Sequence, residues 1–286
     1  LNVAAGTTVQ TQVAVNLGRS LSFMLPLLGR DFSYEPLLRL SEDVILTLYF
    51  CMLAERRIVV TCNRSADAAP LACEAMRALL FPFHWPYVCF PLVFDPQTLY
   101  EAVDAPVLFG LFAACDGLPV PPDLDVFDLD AGAYYSAAQG PPPVAGVFAR
   151  AFSQALERAR LQLPVQTFEG SDMPSLKQRL HTAFLDLNLQ MVHRYRSFLA
   201  PRESAAGPLV DRAGLAKAAI LDITEDTAAD LEAEAFLDAF FRTTMVVNFV
   251  TRAQAAPSDP SVALFDRACA ARAGLREGAA LEEVAA

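Results

Sequence analysis

The side chains that could bind a metal ion or act as a nucleophile are few and widely separated in this chain. It contains three histidines and six cysteines, and no two cysteines form a C-x-x-C pair. His181 and His193 fall on one predicted helix, but twelve residues separate them, which is more than three turns. We therefore expect no metal site, because ligands of one ion must lie close together.

The motifs that support catalysis on a small molecule are also missing. The sequence has no G-x-x-x-x-G-K-[ST] phosphate loop, no G-x-S-x-G nucleophile elbow and no H-E-x-x-H zinc motif. It also lacks the glycines that let a backbone approach a pyrophosphate after the first strand of a nucleotide-binding fold. The sequence therefore predicts no cofactor and no covalent chemistry.

Two short groups of residues could instead recognise another protein. Glu55-Arg56-Arg57 combines opposite charges at a predicted helix end, and Trp85 with His84 follows soon after. Tryptophan and arginine contribute most of the binding energy in many interfaces. Each group also has a structural alternative. The charged group could form a partly buried ion pair that orients the next strand, and the aromatic group could pack where a helix leads into a strand.

The composition excludes several classes of function. The chain is 54% hydrophobic and 19% charged, with a formal net charge of −11, and it shows no basic stripe for nucleic acid or anionic lipid. Unpaired cysteines indicate a reducing, cytosolic compartment. The longest apolar run, 44–54, is too short to cross a bilayer. Leu1 opens the chain without a methionine or a charged leader, which indicates an internal fragment.

The first half of the chain predicts an α/β fold. Residues 9–17 and 21–25 alternate apolar and polar residues around a turn, as in a β-hairpin. A buried helix is expected after Ser41, and a second helix carries Pro70 in its first turn. Strands are predicted at 58–62, 87–93, 107–112 and 124–129. This alternation of strands and helices predicts a central, mostly parallel sheet sandwiched by helices.

The second half predicts an all-helical module. Three consecutive prolines, 141–143, form a stiff break in the chain. After them the pattern predicts only helices, at about 144–161, 172–199, 215–223, 230–240, 242–254 and 259–273. We therefore expect an α/β domain over 1–140, a helical domain over 144–275 and a flexible tail over 276–286.

Several of these segments resemble the DENN family. The resemblance to its central module rests on Leu38 to Ile45, Glu55-Arg56-Arg57-Ile58, Phe81-Pro82-Phe83-His84-Trp85, Pro91-Leu92 and Asp104 to Gly110. In the second half, Tyr195 to Leu199 and Phe236 to Val250 are similar to its downstream helical module, although Thr244 and Val246 depart from the usual pattern. The upstream, longin-like module of the family is not evident, so the resemblance does not imply exchange activity for this chain alone.

The resemblance implies a guanine-nucleotide exchange factor that binds a Rab-family small GTPase in its nucleotide-free or GDP form. It implies a cytoplasmic protein that its partners recruit to vesicle or endosomal membranes. The nominated partner-binding residues are Glu55, Arg56, Arg57, His84, Trp85 and Asp104. The alternative is a module that holds a GTPase or a scaffold without exchanging nucleotide, which would prefer the GTP form. A GTPase-activating role is a third alternative, for which no arginine can be singled out.

Overall fold

A computed structural model describes residues 9–15, 19–25, 33–95, 105–114, 121, 123–136, 147–166, 173–199, 211–224 and 231–276. The hairpin predicted near the start is confirmed. Strand β1 (Val9–Val15) pairs antiparallel with β2 (Arg19–Leu25), in a register that runs from Val9 opposite Leu25 to Val15 opposite Arg19. For these two strands the structure describes only the backbone.

The centre of the first half is a five-stranded sheet. It consists of β3 (Arg57–Thr61), β4 (Cys89–Val93), β5 (Val107–Leu111), β6 (Leu124–Asp128) and β7 (Ala133–Ser136). The spatial order is β4-β5-β3-β6-β7, and every pair is parallel except β6 with β7. The predicted mostly parallel sheet is therefore confirmed, while β7 is an addition that the sequence analysis missed.

One face of the sheet is covered by helices of the first half. These are α1 (Glu35–Leu38), α2 (Glu42–Leu53) and α3 (Ala68–Leu79), which carries Pro70 in its first turn as expected. Eight residues of α2 are buried, so it has almost no polar face. The side chains of Ile58 and Val60 on β3 pack with α2 and α3 in one hydrophobic cluster.

The opposite face of the sheet forms a second, smaller cluster that includes Val59, Phe109 and Val126. These three side chains are buried, yet no helix of the described ranges packs against them. The described helices of the first half therefore lie on one side of the sheet.

The second half is helical, as predicted. It contains α4 (Val147–Arg158), α5 (Met173–Val192), α6 (Arg212–Thr224), α7 (Leu231–Phe240), α8 (Thr244–Ala255) and α9 (Pro260–Arg276). A short 3-10 turn, Tyr195–Phe198, follows α5. The predicted break at 140–143 and the tail beyond 276 lie outside the described residues, so the domain boundaries stay predictions.

The two halves share a single hydrophobic core. Residues from Tyr34 to Cys269 belong to one cluster, in which the Phe50 ring of α2 lies 4.8 Å from that of Phe236. Asn188 of α5 joins the halves through polar contacts. It accepts a 2.5 Å hydrogen bond from the Tyr49 hydroxyl and donates a 2.7 Å hydrogen bond to the Phe81 carbonyl.

Candidate functional site

Glu55 connects the sheet region to the helical half. It follows the end of α2 with a φ of 53°, the left-handed conformation that often ends a helix. Its carboxylate accepts a 2.7 Å hydrogen bond from the Met245 N–H and a 2.8 Å hydrogen bond from the Tyr87 hydroxyl. The Met245 N–H lies in the first turn of α8, where a negative charge stabilises the helix. Glu55 therefore caps a helix 190 residues further along the chain.

Arg56 and Arg57 are held by acidic residues next to and within β6. Arg56 Nη1 lies 3.5 Å from Asp125 Oδ2, and the Asp125 side chain is only 2% exposed. Asp125 also accepts a 2.8 Å hydrogen bond from the Tyr134 hydroxyl of β7. Arg57 pairs with Asp123. These ion pairs join the start of β3 to β6. They correspond to the structural alternative for Glu55-Arg56-Arg57, a partly buried ion pair that orients the next strand.

His84 and Trp85 lie where α3 leads into β4. Trp85 is 7% exposed, and its indole N–H donates to the Val88 carbonyl at 3.4 Å, while its ring contacts Tyr87 edge-on. The His84 side chain is exposed, although partial burial and the charge of Arg252 lower its pKa. Asp104 lies outside the described residues. A role of these six residues in binding a partner stays a prediction.

The surface that best fits a protein partner is the edge strand of the sheet. Over the described residues, five large apolar side chains are exposed, and four of them lie within one seven-residue segment. We call this group the β4 stripe; it consists of Val88 (57% exposed), Phe90 (43%), Leu92 (38%) and Phe94 (65%). Contiguous exposed apolar surface on a soluble domain typically marks a protein-binding site.

Two rings of the β4 stripe are held in place by neighbouring aromatic residues. Phe90 stacks on buried Phe109 of β5, with ring centroids 5.3 Å apart and an interplanar angle of 11°. Phe94 contacts Phe112 edge-on at 6.1 Å. Aromatic side chains that are rigid before binding lose little conformational entropy when a partner covers them.

The sequence predicts a strand here but not its exposure. The signal was Pro91, because a proline has no N–H to donate and is found on edge strands or at bulges. The pairing of β4 with β5 does shift between Phe90 and Val93. A run such as Val88 to Phe94 has the same apolar pattern whether it lies in the middle of a sheet or at its edge.

A cleft of about 380 Å³ opens at the carboxyl ends of β3 and β6, where the connections of these two strands diverge. Ligands of open α/β sheets commonly bind at such a point. Its rim pairs Arg39 with Glu35 at 2.5 Å and places Arg64 3.8 Å from Asp130. Because these opposite charges offset each other, the cleft offers little attraction to an anion, and its lining contains no glycine from the described residues.

The described ranges also bear on two other kinds of site, metal centres and membrane spans. No group of three or more histidine, cysteine, aspartate or glutamate residues there is arranged to hold a metal ion. None of the helices there is both long and apolar enough to cross a bilayer.

Comparison with known proteins agrees with the resemblance seen in the sequence. Residues 4–131 match the family model described as "DENN (AEX-3) domain", which spans the hairpin and the sheet as far as the turn after β6. One curated relative is the "DENN domain and WD repeat-containing protein SCD1" of Arabidopsis thaliana. It is 32% identical over 102 residues, which is 35% of this chain and 8% of the Arabidopsis protein.

Proposed function

Since residues 4–131 of the chain belong to the DENN family, we propose that this protein is a guanine-nucleotide exchange factor for a Rab-family small GTPase. The aligned region spans only 8% of the length of the Arabidopsis relative, so the activity of the whole protein is part of this proposal. We assign the helical half, α4 to α9, as the downstream DENN module. Recruitment to vesicle or endosomal membranes would then follow from the bound GTPase.

The observation that carries the proposal, besides the family, is the β4 stripe. An exchange factor performs no covalent reaction, so it needs a rigid surface that binds the flexible loops of the GTPase. The stripe lies on a sheet whose neighbouring strand β5 is buried along its whole length. Large apolar side chains on such a support are typical anchors of protein interfaces.

The physical mechanism is reciprocal coupling between two ligands of the GTPase. If this protein binds the GTPase in a shape that weakens GDP binding, then GDP weakens the binding of this protein by the same factor. The complex with nucleotide-free GTPase is therefore the tightest one, and GTP disperses it. A module that only holds a GTPase would instead prefer the GTP form.

A nucleotide-release assay tests the proposal. The full-length protein is added to a panel of Rab proteins loaded with fluorescent GDP, and release is followed after excess GTP is supplied. We expect faster release from at least one Rab and stronger capture of its nucleotide-free form. No acceleration across the panel, or preferential capture of the GTP form, would contradict exchange and support the non-catalytic alternative.

Matched variants test the surface separately from the activity. Val88→Asp and Phe94→Asp place a charge in the stripe and should slow release about tenfold or more, as expected for loss of an interface anchor. Tyr135→Asp is the control, because Tyr135 is 49% exposed on the opposite edge strand, β7, and the change in charge is the same. If all three variants behave alike while wild type is active, the exchange function stands and the stripe is not its site.

A further inference from the structure

Two cysteines from different elements lie together beside the β4 stripe. Cys73 is fully buried on α3, and Cys89 is the partly exposed first residue of β4. Helix α3 packs against β4, and both side chains contribute to the same hydrophobic cluster. Each thiol also shifts the pKa of the other, so the two side chains are near enough to interact across the contact between α3 and β4.

The surroundings give the two thiols different roles. Interaction with Cys73 and the positive charge of Arg77 lower the pKa of Cys89, and together they outweigh partial burial and the charge of Glu74, which raise it. The same interaction between the thiols, together with burial, raises the pKa of Cys73. Arg77 is oriented by Glu74, whose two carboxylate oxygens lie 3.0 and 3.1 Å from Arg77 Nη1. A thiolate next to an arginine and open to solvent is the reactive form of cysteine.

The other described cysteines do not share these features. Burial raises the pKa of the thiols of Cys51, Cys62 and Cys269. Cys115 lies outside the described residues. Within the described part of the chain, Cys89 is therefore the thiol best placed to react, and Cys73 is the thiol that interacts with it.

We propose that Cys73 and Cys89 are a reversible redox site that closes to a disulfide when a hydroperoxide is present. The Cys89 thiolate attacks the peroxide and breaks its O–O bond, giving a Cys89 sulfenic acid and, after protonation, water or an alcohol. The Cys73 sulfur then attacks the sulfenic sulfur, the S–O bond breaks and a second molecule of water leaves with the Cys73 proton. Two thiols lose two electrons in total, and the peroxide gains them. A thiol reductant reverses the step by exchange.

Closing the bond would tie the strand that carries the stripe to α3. The bond requires the two sulfurs to approach to about 2.05 Å. The cross-link also constrains the unfolded chain, so the oxidised protein should unfold at a higher temperature than the reduced protein. This site does not depend on the proposed exchange function, because its chemistry involves only this chain and a peroxide.

Peptide mapping of the whole chain tests the site. The reduced protein is treated with increasing hydrogen peroxide, free thiols are blocked with N-ethylmaleimide after unfolding, and the protein is digested without reductant. Trypsin cuts after Arg77 and so separates the two cysteines. Cys89 and Cys115 stay on one tryptic peptide, because no lysine or arginine lies between 78 and 149. Sequencing of that peptide by fragmentation then shows which of the two cysteines is cross-linked. We expect a Cys73–Cys89 cross-link to form before any other oxidation product and to disappear with dithiothreitol.

Three variants make the result decisive. Cys89→Ser should abolish the cross-link and leave Cys73 reduced, whereas Cys73→Ser should leave a Cys89 sulfenic acid that dimedone traps. Cys269→Ser is the control and should form the cross-link at the wild-type rate. The proposal is overturned if Cys89 is oxidised to the sulfinic acid without linking to Cys73, or if it links to Cys115 or to a second chain instead.

Discussion

His181 is the residue whose burial most clearly connects local chemistry to the stability of the protein. It lies on α5 with its Nε2 2.7 Å from the hydroxyl of Tyr34, and both side chains are buried. Burial, with a contribution from the charge of Lys177, lowers the pKa of His181 to about 3. The Lys177 ammonium lies 5.0 Å from the centre of the Tyr34 ring. The folded protein therefore keeps this imidazole neutral.

We predict that His181 makes the protein less stable as the pH falls below 6.5. In that range the unfolded chain binds a proton at His181 and the folded chain does not until about pH 3, so protonation favours unfolding. The loss between pH 7 and pH 5 should be about 2 kcal/mol from this group. Urea unfolding of wild type and His181→Gln at pH 7, 6 and 5 measures it.

The stability of the His181→Gln variant should depend less on pH than that of wild type, because the variant lacks this imidazole. Some dependence should remain, since carboxylates titrate in both proteins. His84→Gln is the matched control, since the pKa of His84 is also lowered but its side chain is exposed. It should change the pH dependence less than His181→Gln does. Equal pH dependence in wild type and His181→Gln would contradict the prediction.

At the scale of elements, the contact between β4 and β5 depends on one glycine. A Cβ atom at Gly110 would lie 2.1 Å from the carbonyl oxygen of Pro91 and 3.3 Å from the backbone of Ala69. Gly110 therefore allows β4 to lie close to β5 at the irregularity in their pairing, while α3 packs from the covered face.

We predict that Gly110→Ala destabilises the protein by about 2–4 kcal/mol, because backbone atoms must move to admit the methyl group. The control is Gly132→Ala in the turn before β7. Gly132 has a φ of 62° with nothing within 4 Å of an added Cβ, so only conformational strain of about 1 kcal/mol applies. Denaturant unfolding compares the two variants. A smaller effect at Gly110 than at Gly132 would show that the two strands are not in such close contact.

At the scale of the whole molecule, the α/β and helical halves are joined by a shared hydrophobic core. Phe83, which follows α3, is 1% exposed and packs edge-on against Phe240 of α7 and Phe249 of α8, both at 5.4 Å. Arg252 of α8 donates a 3.0 Å hydrogen bond to the Pro82 carbonyl. Neither half can lose its structure without exposing the core of the other.

We predict a single cooperative unfolding transition. The chain has one tryptophan, Trp85, whose fluorescence reports on the α/β half, whereas far-ultraviolet circular dichroism reports mainly on the helices. Their midpoints should coincide in wild type. In Phe83→Ala both midpoints should fall together. The free energy of unfolding should decrease by about 3–5 kcal/mol, because a large buried ring is removed.

Phe94→Ala is the control, since this ring is 65% exposed and its removal should cost little. Fluorescence and circular dichroism transitions that separate in wild type would show two independent domains and contradict a shared core.

The sequence by itself determined the elements whose signals are local. Apolar periodicity identified the hairpin and the helical second half, because burial of one face imposes a period of two or 3.6 residues. Short, nearly continuous apolar runs between charged, capping or turn residues identified α2 and four strands of the sheet. Strand β7 was missed because its four residues are too few to show a period. Its signal was the preceding turn, where Gly132 adopts a positive φ.

Only the tertiary structure decided what the notable residues do, because their partners lie far away along the chain. Glu55 meets the N–H of a residue 190 positions later, and Arg56 meets an aspartate 69 positions later. The exposure of Val88 to Phe94 likewise depends on which strand is last in the sheet. The proximity of Cys73 to Cys89 depends on how α3 packs against β4. Sequence periodicity reports that a side chain is apolar, but only the packing of distant segments determines whether it is covered.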